Sequence, residues 1–248
     1  MLENTKVCII GGGIAGNYLA SLLSNKNIPV IVIEEHKEIG KPFQCAGIVS
    51  SKILRLVYIP KELILNRIKK AEIIAPNNKK IIMAGKEKPV VLDRINFDRS
   101  FYLSAVKNGA KYYLDEKYIQ FGYDQDGKIV IETNKRHIKC DLLVGADGPK
   151  SKIGKVFGVN HPIIFGLQQR VKYSLPLDTV KMYFDPRWKQ LFAWVIPESE
   201  TIARIGIGSK QNPVPLLKNI QKRLGIQQKD IIDTQGGTIP FGYPKNVA

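Results

Sequence analysis

The chain has 248 residues, enough for one large domain or two smaller ones, each with a buried core. A hydrophobic fraction of 44% and a charged fraction of 24% are typical of a globular protein. No apolar run approaches the roughly 20 residues of a membrane-spanning helix, and the N-terminus lacks the pattern of a secretory signal. The three cysteines have no zinc-binding spacing and suit a reducing compartment. We therefore expect a cytoplasmic protein.

The formal net charge of +16 is the unusual bulk property, and it favours anionic partners. The basic residues are dispersed, without a basic helix or an aromatic-interleaved platform, so a nucleic-acid partner is disfavoured. A solvated lysine-rich surface, an acidic protein partner and peripheral contact with an anionic membrane surface all remain open. The main clusters are Lys69-Lys70, Lys79-Lys80, Lys135-Arg136 and the lysines of 150–155.

The N-terminal segment has the pattern of a nucleotide-binding βαβ unit. Residues 7–10 are an apolar run typical of a buried parallel strand, and a helix is predicted over 17–24. A second apolar strand, Val30–Ile33, ends in Glu34, eighteen residues after Gly16. An acid at this point accepts hydrogen bonds from a ribose diol. The pattern predicts dinucleotide binding, with an ordinary βα turn as the alternative.

The glycines between strand and helix follow the spacing G-x-G-x-x-G. Gly11 permits a tight turn, Gly13 lets the backbone approach a pyrophosphate, and Gly16 lets the helix pack against the strand. The helix N-terminus offers free N–H groups to the phosphates. The residues predicted to bind the dinucleotide here are Gly11, Gly13, Ala15, Gly16 and Glu34.

The middle of the chain mixes helices and strands. Helices are predicted at 51–58, 61–68 and 96–108, the last closed by Gly109. A turn at 124–127 predicts a hairpin between two strands. The predicted strands are 71–75, 80–83, 89–92, 111–114, 119–123, 129–132 and 141–145.

From Gly166 onward, strands follow one another without intervening helices, which predicts an antiparallel sheet attached to an α/β domain. These strands are 167–173, 179–184, 191–196 and 202–207. A helix over Pro213–Leu224 and a returning strand at 231–239 complete the pattern.

Two further motifs resemble those of the p-hydroxybenzoate hydroxylase-like flavoproteins. The strand at 141–145 ends in a glycine turn that presents Asp147, similar to the Asp-Gly motif that lies beside FAD in that superfamily. Arg94, in Arg-x-x-Phe-Asp, resembles the element whose arginine reaches toward the flavin nucleotide. A structural turn at Asp147 and a surface ion pair at Arg94 are the alternatives.

Within this superfamily the chain most resembles the geranylgeranyl reductases, including the archaeal digeranylgeranylglycerophospholipid reductases. The stretch 38–47 looks like the reductase loop that places a Pro-x-x-Cys segment, here ending in Cys45, near the isoalloxazine. The stretch 192–197 is similar to their Tyr-x-Trp-x-Phe-Pro element. Gly154 stands where aromatic hydroxylases usually have an arginine, as in the reductases.

The resemblance implies a Rossmann-like FAD-binding domain (1–68 and 94–160) with an attached antiparallel-sheet substrate domain (69–93 and 161–240). It implies FAD as cofactor, and reduction of geranylgeranyl double bonds in a membrane-lipid precursor. Gly206 and Gly208 lack the third glycine of a second fingerprint, so the sequence shows no separate NADPH-binding domain. Ferredoxin is therefore as plausible an electron donor as NADPH. The implied roles are cofactor contact by Cys45, Ala46, Gly47, Arg94 and Asp147, a catalytic Cys45 thiol, and substrate contact by Phe192 and Trp194.

Other interpretations of these residues stay open. Cys45 is also compatible with simple packing, and Phe192 and Trp194 with core aromatics on one strand face. A flavin monooxygenase and a non-catalytic flavin- or lipid-binding remnant are the alternative functions. The segment 236–240 looks like the approach to a third FAD element, so we expect the C-terminal part of the family fold to be absent from this chain.

Overall fold

The computed structural model describes residues 2–188 and 191–242. The helices are α1 (Ile14–Ser24), α2 (Ile53–Leu56), α3 (Arg94–Lys107), α4 (Lys152–Val156) and α5 (Pro213–Leu224). The first strands are β1 (Leu2–Ile10), β2 (Val30–Ile33), β3 (Ile48–Val49), β4 (Ile64–Arg67), β5 (Lys70–Ile74), β6 (Lys80–Ala84), β7 (Val90–Leu92) and β8 (Lys111–Tyr113). They are followed by β9 (Tyr118–Tyr123), β10 (Ile129–Thr133), β11 (His137–Gly145), β12 (Ile163–Lys172), β13 (Thr179–Tyr183), β14 (Ala193–Pro197), β15 (Ile202–Ser209) and β16 (Ile231–Pro240).

The chain divides into two compact units. The first contains the residues up to Pro42 and Ile95–Asn160, and the second contains Phe43–Arg94 and residues 161–242. The boundaries predicted from sequence placed 43–68 and Arg94 in the first domain, which differs from this division. The reason is strand pairing: β3 and β4 both pair with β7, and Ile68 is buried in a cluster around Trp194.

The first unit is built on a six-stranded sheet with the order β8-β2-β1-β11-β10-β9. β8, β2, β1 and β11 are parallel, while β10 and β9 continue the sheet as an antiparallel hairpin. Ile10 lies in register with both Ile33 and Gly145. The carboxyl ends of three parallel strands therefore meet at one edge, where α/β sheets bind ligands. The glycine turn, Glu34 and Asp147 directly follow these three strand ends.

The second unit contains a seven-stranded sheet with the order β16-β12-β15-β14-β13-β5-β6, and a small sheet with the order β3-β7-β4. α5 packs Leu217 and Ile220 against one face of the large sheet, together with Ile205 and Ile207. Trp194 belongs to a second cluster with Ile68, Val91, Val180 and Ile196. The two clusters draw on alternate residues of β14, as the two-residue period of a strand requires.

Trp194 fits its sheet because the residue opposite it is a glycine. Trp194 lies in register with Gly206 on β15, and a Cβ added to Gly206 would overlap the indole ring. Gly208 similarly makes room for the side chain of Leu191. The Gly206-x-Gly208 pair is therefore explained by side-chain packing.

Most of the predicted elements are confirmed, including the βαβ unit, the 124–127 hairpin, the helix Pro213–Leu224 and the antiparallel strands. The predicted helix at 61–68 is wrong: a single 3-10 turn, Lys61–Leu63, leads into β4, whose alternate residues are partly buried against β7. The helix predicted at 51–58 is confined to α2, which has no buried residue to stabilise further turns. Within 2–188 and 191–242, no helix is long and apolar enough to cross a bilayer.

The contact between Trp194 and Gly206 predicts different effects for two glycine substitutions on this sheet. Gly206→Ala should lower the free energy of unfolding by about 1–3 kcal/mol, because the new methyl group overlaps a ring fixed by its own packing. Gly236→Ala, on exposed β16, meets only ordinary contacts at 3.6 Å and should be neutral or mildly stabilising. Urea unfolding followed by circular dichroism measures both, and equal effects would contradict the packing described.

Candidate functional site

The glycine turn after β1 is tightly packed against its neighbours. Gly11 has a φ of +109°, and a Cβ there would overlap the carbonyl group of Ala146. A Cβ on Gly16 would overlap the carbonyl oxygen of Gly11. Both positions therefore require glycine, one for its backbone conformation and both for the close approach of the backbone segments.

The first turn of α1 is open by contrast. A Cβ on Gly13 would meet no described atom within 4 Å, and Gly13 and Ala15 are both exposed. Among the described residues no side chain caps this helix, and its first turn carries no acidic residue. The N–H groups and positive dipole end of α1 therefore face a space that a phosphate group can enter.

Glu34 is buried at the end of β2 and holds the glycine turn. Its Oε2 accepts a hydrogen bond from the Gly12 N–H at 2.5 Å. Its Oε1 accepts from the backbone N–H of His36 at 2.9 Å and lies 2.5 Å from His36 Nδ1. The carboxylate therefore fixes the backbone on the strand edge where the turn lies, and Oε2, which has a single partner, keeps a lone pair for a further donor.

Asp147 caps α4 through its carboxylate. It accepts hydrogen bonds from the hydroxyl group of Ser151 and from the backbone N–H groups of Lys152 at 2.6 Å and Ile153 at 3.2 Å. Ser151 in turn accepts from the Gly154 N–H at 2.7 Å. These bonds give Asp147 a structural role at the end of β11, and its contact with a cofactor stays a prediction.

In the second unit, Cys45 and Arg94 lie in direct contact. The Cys45 Sγ accepts hydrogen bonds from Nη1 of Arg94 at 3.0 Å and from the Gly47 N–H at 3.4 Å. The Cys45 carbonyl accepts from Nε2 of Gln168 at 3.2 Å. The structure thus brings two of the predicted site residues together, with a cation beside a partly buried sulfur.

Gln168 joins the Cys45 segment to Trp194. Its Oε1 accepts a hydrogen bond from the indole N–H at 2.9 Å, and Ala46 packs against the Trp194 cluster. Phe192 adds an edge-on ring contact to Trp194, with 6.3 Å between the ring centroids. Trp194 is only 8% exposed, so its position is that of a core aromatic bordering the Cys45 segment.

Arg204 supports the Cys45 segment from the sheet below it. This buried guanidinium donates to the carbonyl groups of Ala46 at 2.9 Å and Leu92 at 3.3 Å. Gly47 has a φ of +78°, and a Cβ there would overlap the Arg204 guanidinium. Sequence reasoning missed both Arg204 and Gln168. The available signal was an arginine inside the otherwise apolar strand β15.

The Arg204 charge is balanced by Glu198. Glu198 is 6% exposed and accepts hydrogen bonds at 2.9 Å from Nε of both Arg204 and Arg170. Burial by itself raises the pKa of Glu198, but the two guanidinium groups outweigh it and hold the pKa below its ordinary value. The carboxylate therefore stays ionised inside the unit at neutral pH.

A comparison with protein families assigns the class. The model of the FAD binding domain family matches residues 4–169, well over half of the chain. The chain belongs to this FAD-binding family. The open first turn of α1, the enclosed Gly11 and Gly16, and the acid at the end of β2 fit the nucleotide part of FAD.

Comparison with curated proteins shows which members of the superfamily the chain is similar to. The chain is 30% identical to the digeranylgeranylglycerophospholipid reductase of Thermoplasma volcanium, over 85% of this chain and 58% of the relative. It is 26% identical to digeranylgeranylglycerophospholipid reductase 1 of Methanococcoides burtonii, over 98% of this chain and 65% of the relative. The chain thus spans roughly three fifths of the length of these relatives, and the expected resemblance to this group is confirmed.

A solved structure shares the fold. The geranylgeranyl bacteriochlorophyll reductase-like protein of Thermoplasma acidophilum superposes with a TM-score of 0.87 at 24% identity. The match covers all of this chain and 69% of that protein. The expected α/β class with an attached antiparallel sheet is confirmed. The stretch 236–240, predicted to approach a third FAD element, lies at the end of β16, and residues 243–248 lie outside the described residues. The expected absence of the C-terminal part of the family fold stays a prediction.

The Glu198 carboxylate makes the stability of the second unit depend on pH. Glu198→Gln should lower the free energy of unfolding at pH 7 by about 3–5 kcal/mol, because it leaves the buried Arg204 guanidinium and the half-buried Arg170 guanidinium without their counter-charge. The difference in unfolding free energy between wild type and variant should be complete above about pH 4.5, the pKa of Glu198 in the unfolded chain. It should disappear as the pH falls through the lower pKa of Glu198 in the folded protein.

Urea unfolding at several pH values measures this difference. Glu200→Gln, an exposed acid on the same segment, is the matched control and should change stability by less than about 0.5 kcal/mol. A Glu198→Gln deficit that does not change with pH would show that the effect is not the loss of this charge.

Proposed function

We propose that this chain is an FAD-dependent oxidoreductase that reduces isoprenoid double bonds, of the geranylgeranyl type, in a membrane-lipid precursor. Membership in the FAD-binding family and the names of the relatives support this reaction class. The observation that carries the proposal is the Cys45 segment: a thiol against Arg94, held beside an apolar aromatic cluster by Gln168 and Arg204.

The first unit would hold the nucleotide part of FAD. Backbone N–H groups at the start of α1 would bind the pyrophosphate, with Gly13 leaving room for it, and Glu34 would accept hydrogen bonds from the ribose. FAD, when bound, supplies hydride transfer, and the protein supplies binding, orientation and exclusion of water. The further proposed cofactor contacts are Ala46, Gly47, Arg94 and Asp147.

The second unit would contribute the reacting thiol and the apolar surface. Cys45 would position the alkene or donate a proton to it at Sγ, and Arg94 keeps that sulfur in a fixed orientation. Phe192 and Trp194 would border the isoprenoid chain, which needs an apolar environment with few polar groups. Trp194 is itself kept in place by its hydrogen bond to Gln168.

The proposal also includes an electron donor and a location. Ferredoxin or NADPH would reduce the protein, and the net charge of +16 suits an acidic donor or an anionic surface. We place the reaction in the cytoplasm, peripheral to the membrane that contains the lipid. The free Cys8, Cys45 and Cys140 are consistent with a reducing compartment.

The visible spectrum of the purified chain after incubation with FAD is the first test. A bound flavin, followed by saturation of lipid alkenes by the pre-reduced protein without oxygen, supports the reductase. NADPH-dependent oxygen consumption with a hydroxylated product would support a monooxygenase instead. A chain that stays colourless would be the non-catalytic remnant.

Glu34→Gln should weaken FAD binding. A charged hydrogen bond contributes about 1.5–3 kcal/mol, so the dissociation constant should rise roughly ten- to hundredfold. Quenching of flavin fluorescence during titration measures it. Glu35→Gln removes the neighbouring acid, which is exposed and paired with Lys117, and should leave FAD affinity unchanged. Equal affinities for both variants would remove Glu34 from the site.

Cys45→Ser should slow alkene saturation while FAD stays bound. Loss of a positioned proton donor reduces rates by about 10²–10⁴-fold, which single-turnover measurements on the pre-reduced protein will detect. Cys140→Ala removes a thiol whose pKa burial raises to about 11, in the core of the first unit, and should leave the rate per bound flavin unchanged. A Cys45→Ser variant with the wild-type rate would leave the thiol without a catalytic role.

A further inference from the structure

β6, one of the two outer strands of the seven-stranded sheet, is exposed and carries three large apolar residues. Ile81, Ile82 and Met83 of β6 are 66%, 56% and 56% exposed, and every residue of 76–88 is exposed. Ile82 points to the opposite face of the strand from its two neighbours, so apolar side chains project from both faces of this edge. An apolar edge strand is a liability in water unless something covers it.

Lysines flank these apolar residues on both sides. Lys79 and Lys80 precede them and Lys86 and Lys88 follow, against Glu87 as the one acid of 76–88. Lys80 has a long ion pair of 3.5 Å with Glu72 on β5. We call this segment, residues 79–88, the β6 edge. Its combination of exposed apolar side chains and lysines matches the interface of an anionic bilayer, with acyl chains below and phosphates above.

The β6 edge is continuous with the face of the sheet that carries Trp194. Trp194 lies opposite Met182, Met182 opposite Ile73, and Ile73 opposite Ile81. Directly opposed side chains share one face, so an apolar row crosses the sheet from the buried indole to the exposed edge. With about 4.8 Å between strands, this row is about 14 Å long.

A parallel row strengthens the apolar character of this face. Val180 lies opposite Ala71, and Ala71 opposite Met83. Val180 is buried in the Trp194 cluster, while Met83 is exposed at the edge. Both rows therefore become more exposed toward β6. They connect the buried Trp194 cluster with the exposed apolar residues of the outer strand.

We propose that the β6 edge docks this protein onto an anionic phospholipid bilayer, with Ile81, Ile82 and Met83 inserted among the lipids and the four lysines at the phosphates. The proposal deepens the proposed function, since the apolar rows would connect the bilayer with the Trp194 cluster. Pairing with the same edge of a second copy is disfavoured, because it would bring two lysine-rich strands together.

Flotation with lipid vesicles tests the docking surface. The wild-type chain should float with vesicles of phosphatidylcholine mixed with phosphatidylglycerol, and at least about tenfold less with phosphatidylcholine alone. I81S/M83S and K79Q/K80Q/K86Q/K88Q should each reduce binding to the mixed vesicles about tenfold or more. Circular dichroism confirms that each variant is folded.

Matched controls change equivalent residues in the first unit. I119S alters an exposed isoleucine on β9, the outer strand of the six-stranded sheet, and should bind the mixed vesicles as the wild type does. K26Q/K107Q/K150Q/K155Q removes four exposed lysines and the same charge, and should retain most of the binding. Equal losses in the control and β6-edge lysine variants would overturn the proposal in favour of bulk charge.

Insertion is measured separately with Ile82→Trp. Its emission should shift to shorter wavelength on addition of mixed vesicles, relative to the unsubstituted chain. No shift, or no flotation of the wild type, overturns the proposal, and so does a dimer that I81S/M83S converts to monomer. FAD binding and alkene saturation with detergent-dispersed lipid are scored on the same proteins, so the proposed reaction stands or fails independently.

Discussion

The buried Arg204 guanidinium holds together the part of the second unit that carries Cys45. Residues 43–47 form no helix or strand, so their conformation depends on groups outside the segment. Arg204 donates hydrogen bonds to the Ala46 carbonyl, in this segment, and to the Leu92 carbonyl on β7. The N–H of Leu92 in turn donates to the Gly47 carbonyl. Because a buried cation is unfavourable without a counter-charge, this arrangement also requires Glu198. The position of the thiol therefore depends on a charge pair inside the sheet.

The first unit uses carboxylates in a comparable way. Glu34 holds the Gly12 N–H, and Asp147 holds the N–H groups at the start of α4. In each case a side chain just after a strand end accepts hydrogen bonds from nearby backbone N–H groups and so orders that backbone. Charged hydrogen bonds are stronger than neutral ones, which suits segments with little regular structure. The polar residues that the sequence suggests as ligand contacts thus have a structural role, beside the binding role that we propose for them.

Sequence reasoning succeeded where local chemistry determines the structure. The glycine spacing after β1, the apolar runs and the turn at 124–127 each specify their element through nearby residues. It failed at 61–68, where pairing with β7 overrides the helical pattern. Arg204 and Gln168 were missed because their partners, Ala46 and Cys45, are more than one hundred residues away in the sequence. Such pairings are set by the sheet register, which no local pattern reveals.

The central strand of the first unit has a neighbour that is far away along the chain. β1 pairs with β11 from Leu2 opposite His137 to Ile10 opposite Gly145. In the sequence, the two strands are separated by more than one hundred residues, which include Phe43–Arg94 of the other unit. During synthesis β1 leaves the ribosome long before β11 exists, so its apolar residues lack one strand partner for most of translation. Pairings of such long sequence separation form slowly. Nascent chains shorter than about 145 residues therefore expose an unpaired edge at β1, which makes them the forms most prone to aggregate or to recruit a chaperone.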